Sequence, residues 1–151
     1  MSRRNLFVER AVRRFDEGYN CAQSVLLVMS EYWNIKSDLI PRIATGFGGG
    51  IGRCGSVCGA LTGGILSIGI KYGTDEPSPE KRQKCYELAL RLYRLFEQQH
   101  GSVLCRELIG YDLSDSEGLK SAQKAKVFEE KCSDLIRTVV NILVDLEKRS
   151  S

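Results

Sequence analysis

A glycine-rich stretch, residues 46–64, constrains this chain more than any other segment. It reads GFGGGIGRCGSVCGALTGG and holds nine of the 15 glycines in the 151-residue sequence, together with two of the six cysteines. Glycine loses more conformational freedom on folding than other residues, so such a concentration indicates positive φ angles or very close backbone approach. Gly55, Gly59 and Gly63 recur every four residues, which predicts one face of a helix. We expect that face to bring backbone against backbone or against a bound group.

Elsewhere the apolar residues recur at helical spacing. The pattern predicts helices over residues 4–17, 21–33, 38–45, about 54–72, 79–99, 103–109 and 133–148. Asn20 and Ser133 are the expected caps of the second and last helices, and Pro41 falls in a first turn, where proline is tolerated. Residues 111–131 are weakly patterned and are interpreted as loop. Because no segment alternates with period two, the expected fold is all-α, a compact single-domain bundle of about six helices over residues 1–151.

Composition and charge exclude several classes of protein. With 42% apolar and 27% charged residues, the chain can build a core without disulfides. The net charge of +3 is dispersed, which argues against nucleic-acid binding. The longest uncharged stretch, residues 54–70, is too short and too glycine-rich for membrane insertion. Residues 1–15 carry charges and no apolar export segment, so we expect a cytoplasmic location.

The cysteines offer a common pattern. Free or metal-bound thiols are favoured over disulfides in a reducing compartment. A helix N-terminus carries unpaired N–H groups and roughly half a positive charge, which stabilises a thiolate and lowers its pKa. If several such starts converge, Gly55 and Gly59 would let a metal or anionic cofactor approach closely. The cysteines could equally be buried small apolar residues. Four of them lie in or beside the first turn of a predicted helix: Cys21, Cys58, Cys105 and Cys132.

The two remaining cysteines are predicted to differ from these four. Cys85 falls on the apolar stripe of its helix and is interpreted as core. Cys54 lies four residues before Cys58 and could be an auxiliary ligand, a resolving thiol or an exposed loop residue. Zinc is a weaker expectation than an iron-sulfur group, because the chain has no C-x-x-C motif and a single histidine, His100.

The cysteine segments also support a family resemblance. Residues 58–63, CGALTG, have the form C-G-A-x-x-G; residues 18–22, GYNCA, precede them, and Cys105 and Cys132 follow. In order and spacing the chain resembles the redox-active family named for the pattern C_GCAxxG_C_C. The resemblance implies a helical redox protein with a bound prosthetic group, such as an iron-sulfur cluster, and it implicates the same four cysteines. A similar module carries haem-binding segments in split-Soret cytochromes, but no C-x-x-C-H site occurs here.

Three functional hypotheses follow. The first is an iron-sulfur or related metal cluster held by the four thiolates, acting in electron transfer with a redox partner protein; a homo-oligomer is compatible with it. The alternative is a thiol-disulfide oxidoreductase or sulfur carrier, in which Cys58 is the low-pKa catalytic thiol and another cysteine resolves. A third is a structural module whose small-residue strip docks another helix. A bulky residue at Gly59 is expected to disturb the site more than one at Gly49.

Overall fold

The computed structural model describes the backbone of residues 1–150 and the side chains of residues 1–146. Within these residues the chain forms helices and no strands, so the all-α prediction is confirmed. The described part holds seven α-helices, against the expected bundle of about six, and one of them lies in the segment interpreted as loop. They are α1 Arg3–Asp16, α2 Cys21–Tyr32, α3 Gly59–Tyr72, α4 Pro79–His100, α5 Cys105–Ile109, α6 Ser116–Lys124 and α7 Ser133–Ser150.

Two further helical segments complete the fold. A 3-10 helix, Arg42–Phe47, replaces the helix predicted over residues 38–45, and Pro41 precedes it. A π-helical turn, Phe128–Cys132, runs directly into α7. Ser133 therefore has helical φ and ψ angles of −60° and −41° and is not the predicted N-cap, because the chain is already helical before it.

The start of α2 forms as the sequence predicts. The Asn20 side chain accepts a hydrogen bond from the Gln23 backbone N–H at 2.9 Å, and the Gln23 side chain accepts one from the Asn20 N–H at 3.1 Å. This reciprocal pair is a capping box, which satisfies two N–H groups that a helix start would otherwise leave unpaired. It fixes Cys21 as the first residue of α2.

Helix α3 packs against α2, α4 and α7, while α1 packs against α2 and α7. The predicted small-residue face produces the α2–α3 contact. A Cβ atom at Gly63 would lie 2.6 Å from the Ala22 carbonyl oxygen, so the two backbones approach as only glycine allows. The largest fully buried side chains include Leu26, Met29, Leu61, Ile68, Leu92, Phe96, Ile136 and Leu143.

The glycine-rich stretch contains a left-handed turn, residues 49–53. The five φ angles are 64°, 68°, 67°, 54° and 67°, and two of the residues, Ile51 and Arg53, are not glycine. Backbone hydrogen bonds close the turn, including one from the Gly52 N–H to the Gly46 carbonyl at 3.0 Å. Helix α3 therefore begins at Gly59 and not near residue 54. Gly55 lies outside it, with φ of 79°.

We expect the substitution Ile51→Gly to stabilise the protein by about 1 kcal/mol. A left-handed conformation costs a non-glycine residue roughly 1–2 kcal/mol, and glycine returns about 0.5–1 kcal/mol of this as extra unfolded-state entropy. Ile51 is 46% exposed, and the burial lost with its side chain makes this gain an upper value. Urea unfolding measures the change. Ile70→Gly, in the regular helix α3, is the control and should destabilise; a similar loss at Ile51 would contradict the assigned strain.

Candidate functional site

Each of the four singled-out cysteines is positioned by a different segment. Cys21 begins α2, Cys58 immediately precedes α3, and Cys105 begins α5, so these three lie at helix starts as predicted. Cys132 does not, because it is the last residue of the π-helical turn inside a continuous helix. Such turns interrupt regular winding and often occur at functional sites.

An isolated antiparallel bridge between Val57 and Leu104 aligns two of these cysteines. The Cys58 N–H donates to the Val103 carbonyl at 2.8 Å, and the Cys105 N–H donates to the Ser56 carbonyl at 2.7 Å. This pairing is also why the helix predicted from residue 103 begins only at residue 105. Cys58 and Cys105 are therefore neighbours although they are far apart in sequence.

Glycines make room for the cysteines themselves. A Cβ atom at Gly50 would lie 2.7 Å from Cys105 Cβ, and one at Gly59 would lie 3.2 Å from Cys21 Cβ. Gly49 is more constrained than Gly59, since it has a φ of 64° and its Cβ atom would lie 2.8 Å from the Arg53 Cα. A side chain at Gly49 is therefore the more strained for the backbone, whereas one at Gly59 contacts a cysteine directly, and the greater effect on the site of a bulky residue at Gly59 stays a prediction.

The four cysteines line one cavity of about 460 Å³. Cys58, Cys105 and Cys132 are 3%, 7% and 5% exposed, and Cys21 is half-buried. The rest of the wall consists of the glycines Gly48, Gly49, Gly52 and Gly59, the polar residues Asn20, Thr45, Arg53 and Gln123, and the apolar residues Phe15, Ile109, Leu113, Leu119, Phe128 and Leu135. Residues from most of the chain thus meet around one space that the thiols face.

The other predicted positions lie apart from this wall. Gly55 packs against Arg106, whose Cβ would be 3.0 Å from a Gly55 Cβ atom. Cys54 is exposed, and its carbonyl accepts a hydrogen bond from Arg106 Nη2 at 2.9 Å. Cys85 is half-buried against the core, as its place on the apolar stripe predicts.

Burial dominates the acidity of two thiols. It raises the pKa of Cys58 to about 12, although the backbone N–H groups of Leu61 and Ala60 act in the opposite direction. It also raises the pKa of Cys105 to about 11. The expectation that helix starts lower the thiol pKa is therefore wrong at both positions, because these sulfurs have lost more hydration than the helix ends return.

Cys21 and Cys132 behave as a pair. The Cys21 and Cys132 thiols interact with each other, and this interaction is the largest cause that raises the pKa of Cys21 well above its usual range. The same interaction lowers the pKa of Cys132. Of the four thiols, Cys132 is the one whose pKa is lowered.

The Cys58 shift predicts how the stability of metal-free protein depends on pH. Since the pKa is about 12 in the folded state and 9.0 ordinarily, the protonated thiol favours folding fully below pH 9, and this contribution is lost as pH rises towards 12. The free energy of unfolding should fall by up to about 1.4 kcal/mol per pH unit from this one group. Anaerobic urea unfolding between pH 8 and 10.5 measures the slope. Cys58→Ala should have a shallower slope, and an identical slope would contradict the assignment.

The four thiols line a cavity, but they do not converge on the position of a single metal ion. Among the described side chains, no group of three or more histidine, cysteine, aspartate or glutamate residues is arranged to hold a single metal ion. A mononuclear zinc site would require four sulfurs at about 2.3 Å from one centre. The donor set present here is four thiols around a cavity with no carboxylate on its wall.

Several wall residues could not be identified from sequence. Phe15, Leu119 and Phe128 have no chemical signature, because any apolar residue could line such a wall. Arg53 carried a usable signal: it is the one charged residue within the glycine-rich stretch. Asn20 was recognised only as a helix cap, and its side chain also donates to the Thr45 carbonyl at 2.9 Å at the cavity edge.

An all-helical fold around a four-cysteine cavity defines the class of protein. The sequence profile of the family described as "Putative redox-active protein (C_GCAxxG_C_C)" matches residues 19–146, and the chain belongs to this family. The resemblance seen in the cysteine segments is thereby confirmed.

Other comparisons add little about function. A protein of Archaeoglobus fulgidus, described as "Uncharacterized protein", is 28% identical over 142 residues, covering 88% of this chain and 87% of its own. No solved structure matches significantly.

None of the helices in the described part of the chain combines the length and the hydropathy needed to cross a membrane.

Proposed function

We propose that this protein binds an iron-sulfur or related metal cluster through the thiolates of Cys21, Cys58, Cys105 and Cys132 and acts in electron transfer. One observation carries the proposal: four cysteines from four separate segments line a single cavity. If the four cysteines were only small buried apolar residues, nothing would require them to line the same cavity. Membership of a redox-active family agrees with it. We place the protein in the cytoplasm, where a partner protein would exchange electrons with it.

The cavity suits a multi-atom group better than one zinc ion. Iron-sulfur clusters are held by cysteine thiolates, commonly four, and a cavity of about 460 Å³ leaves room between the donors. Metal binding removes the thiol protons, so the high pKa values of the metal-free thiols are compatible with ligation. Such a group, when bound, would supply one-electron transfer.

The residues of the chain have defined roles in this proposal. The bridge between Val57 and Leu104 holds Cys58 and Cys105 side by side, and the capping box orients Cys21. Backbone N–H groups at the start of α3 face the Cys58 sulfur and would stabilise its thiolate. The apolar wall limits access of water, which is one determinant of reduction potential.

Anaerobic purification followed by visible spectroscopy tests the proposal. We expect a broad absorption band that is bleached by dithionite and returns on reoxidation. Metal-free protein reconstituted with iron and sulfide should acquire the same band. A protein that stays colourless after reconstitution would contradict it.

A second candidate function is dithiol oxidoreduction by Cys21 and Cys132. The observation that favours it is their direct thiol contact, with the lowered pKa on Cys132. Cys132 would attack a substrate disulfide, release one substrate thiol and remain joined to the other half as a mixed disulfide. Cys21 would then attack the Cys132 sulfur and displace this second substrate thiol, so that two protein thiols become one disulfide and the substrate gains two electrons and two protons. This replaces Cys58, whose pKa of about 12 leaves it protonated at neutral pH. Mass spectrometry after mild oxidation should find a Cys21–Cys132 bridge; four intact thiols would exclude this candidate.

The third hypothesis, docking of another helix on the small-residue strip, is not supported. That strip is already covered inside the molecule, since Gly63 lies against the Ala22 backbone and Gly64 against Val139 and Leu92.

A further inference from the structure

Arg53 is the one charged residue on the cavity wall in the described part of the chain. It is exposed at the mouth, and none of the described side chains pairs with its guanidinium. No aspartate or glutamate contributes to the wall. The mouth therefore presents an unneutralised guanidinium to whatever enters the cavity, and such a group binds planar oxyanions through two parallel hydrogen bonds.

The backbone conformation at Arg53 is energetically unfavourable. Its φ is 67°, and Gly49 lies so close that a Cβ atom there would be 2.8 Å from both Cα and Cγ of Arg53. The left-handed region costs a non-glycine residue roughly 1–2 kcal/mol. Such strain concentrates at sites that bind ligands or react. The turn thus places an arginine at a position whose backbone conformation glycine would adopt more easily.

Six apolar side chains contribute to the wall of the cavity that Arg53 lines. Phe15, Leu119 and Phe128 contribute to this wall, and the buried residues Ile109 and Leu113 also line it. Its volume of about 460 Å³ lies within the roughly 300–1,000 Å³ typical of small-molecule pockets. The cavity thus combines apolar wall segments with one exposed cationic side chain.

We infer that the cavity also binds a small organic oxyanion, with its carboxylate or phosphate on Arg53 and its apolar body against the Phe15, Leu119 and Phe128 wall. The ligand would lie beside the thiols, so this inference rests on the proposed function for its redox role and names the substrate class of that site. Inorganic anions lack the apolar body, and neutral aromatic molecules lack the charge. Both should bind more weakly.

Anaerobic isothermal titration calorimetry of the full chain tests this, with benzoate, phenyl phosphate, inorganic phosphate and benzyl alcohol as probes. We expect benzoate or phenyl phosphate to bind at least about tenfold more tightly than inorganic phosphate and benzyl alcohol. Preference for phenyl phosphate would identify a phosphate ligand, and preference for benzoate a carboxylate. Equal affinity for benzyl alcohol and both aromatic anions would overturn the inference.

The variant Arg53→Gln should lower the affinity for the preferred anion at least tenfold, and Arg53→Lys should restore part of it. Arg82→Gln, which removes the same charge from the exposed surface of α4, is the matched control and should bind like the parent. Circular dichroism verifies folding. If Arg53→Gln binds as tightly as the parent, the assignment is overturned.

Iron and sulfide content, measured on the same samples, separates this inference from the proposed function. Retained iron with no anion binding contradicts the inference alone. Anion binding that depends on Arg53 in protein unable to take up iron supports the inference and contradicts the cluster. A shift in reduction potential of Arg53→Gln without any anion binding would assign Arg53 to charge compensation and overturn the inference.

Discussion

Replacing Cys58 with serine is expected to lower the iron retained per chain on the order of a hundredfold. Cys58 is 3% exposed, immediately precedes α3 and is held by a backbone hydrogen bond to Val103, so its sulfur has a fixed place on the cavity wall. Loss of an outer-shell partner alone typically costs 10–100-fold in metal affinity, and loss of a ligand should cost at least as much. Iron analysis after anaerobic reconstitution and gel filtration measures the effect.

Two other cysteines provide matched controls for that experiment. Cys54→Ser and Cys85→Ser remove thiols that do not line the cavity, and both variants should retain the iron content of the parent. Cys132→Ser should behave like Cys58→Ser. Equal iron in Cys58→Ser and Cys54→Ser would exclude Cys58 as a ligand.

The substitution Gly63→Ala is expected to lower the free energy of unfolding substantially. The new Cβ atom would lie 2.6 Å from the oxygen and 2.8 Å from the Cα of Ala22, which are backbone atoms and cannot rotate away. Alanine gains about 1 kcal/mol in helix propensity, but forcing two packed helices apart should leave a net loss of about 2 kcal/mol or more. Because α2 carries Cys21, iron retention should fall as well.

Gly46→Ala is the control for this substitution. A Cβ atom at Gly46 would meet nothing within 4 Å, so the free energy of unfolding should change by less than about 0.5 kcal/mol. Urea unfolding of the metal-free proteins measures both. If Gly63→Ala unfolds at the same urea concentration as Gly46→Ala, the close α2–α3 contact is contradicted.

Sequence patterns predict those parts of the structure that depend only on residues close together in the chain. The stop after α1, the Asn20 cap and the apolar stripe of α4 are local features, and the structure follows them within a residue or two. The four cavity cysteines could also be selected from helix starts and from family resemblance. The convergence of these cysteines on one cavity could not be predicted from sequence, because it depends on how α2, α3, α5 and the π-helical turn pack together.

The failures have a common physical origin in tertiary contacts. Helix α3 was expected to begin near residue 54, but the left-handed turn and the Val57–Leu104 bridge keep residues 49–58 out of it. The thiol acidity was misjudged because sequence shows a helix start but not the burial that opposes it. The single charge of Arg53 in the glycine-rich stretch marks it in the sequence, but its place on the cavity wall depends on the left-handed turn.

Iron and acid-labile sulfide content of anaerobically prepared protein tests the central proposal most directly. Both should be present in similar molar amounts, at two or more atoms of iron per chain, and both should disappear in Cys58→Ser and Cys132→Ser. Reconstitution of the same preparation with iron and sulfide controls for loss of the cluster by exposure to air. Parent protein that holds neither element after reconstitution, with its four cavity thiols reduced, would contradict the assignment of this cavity to a cluster.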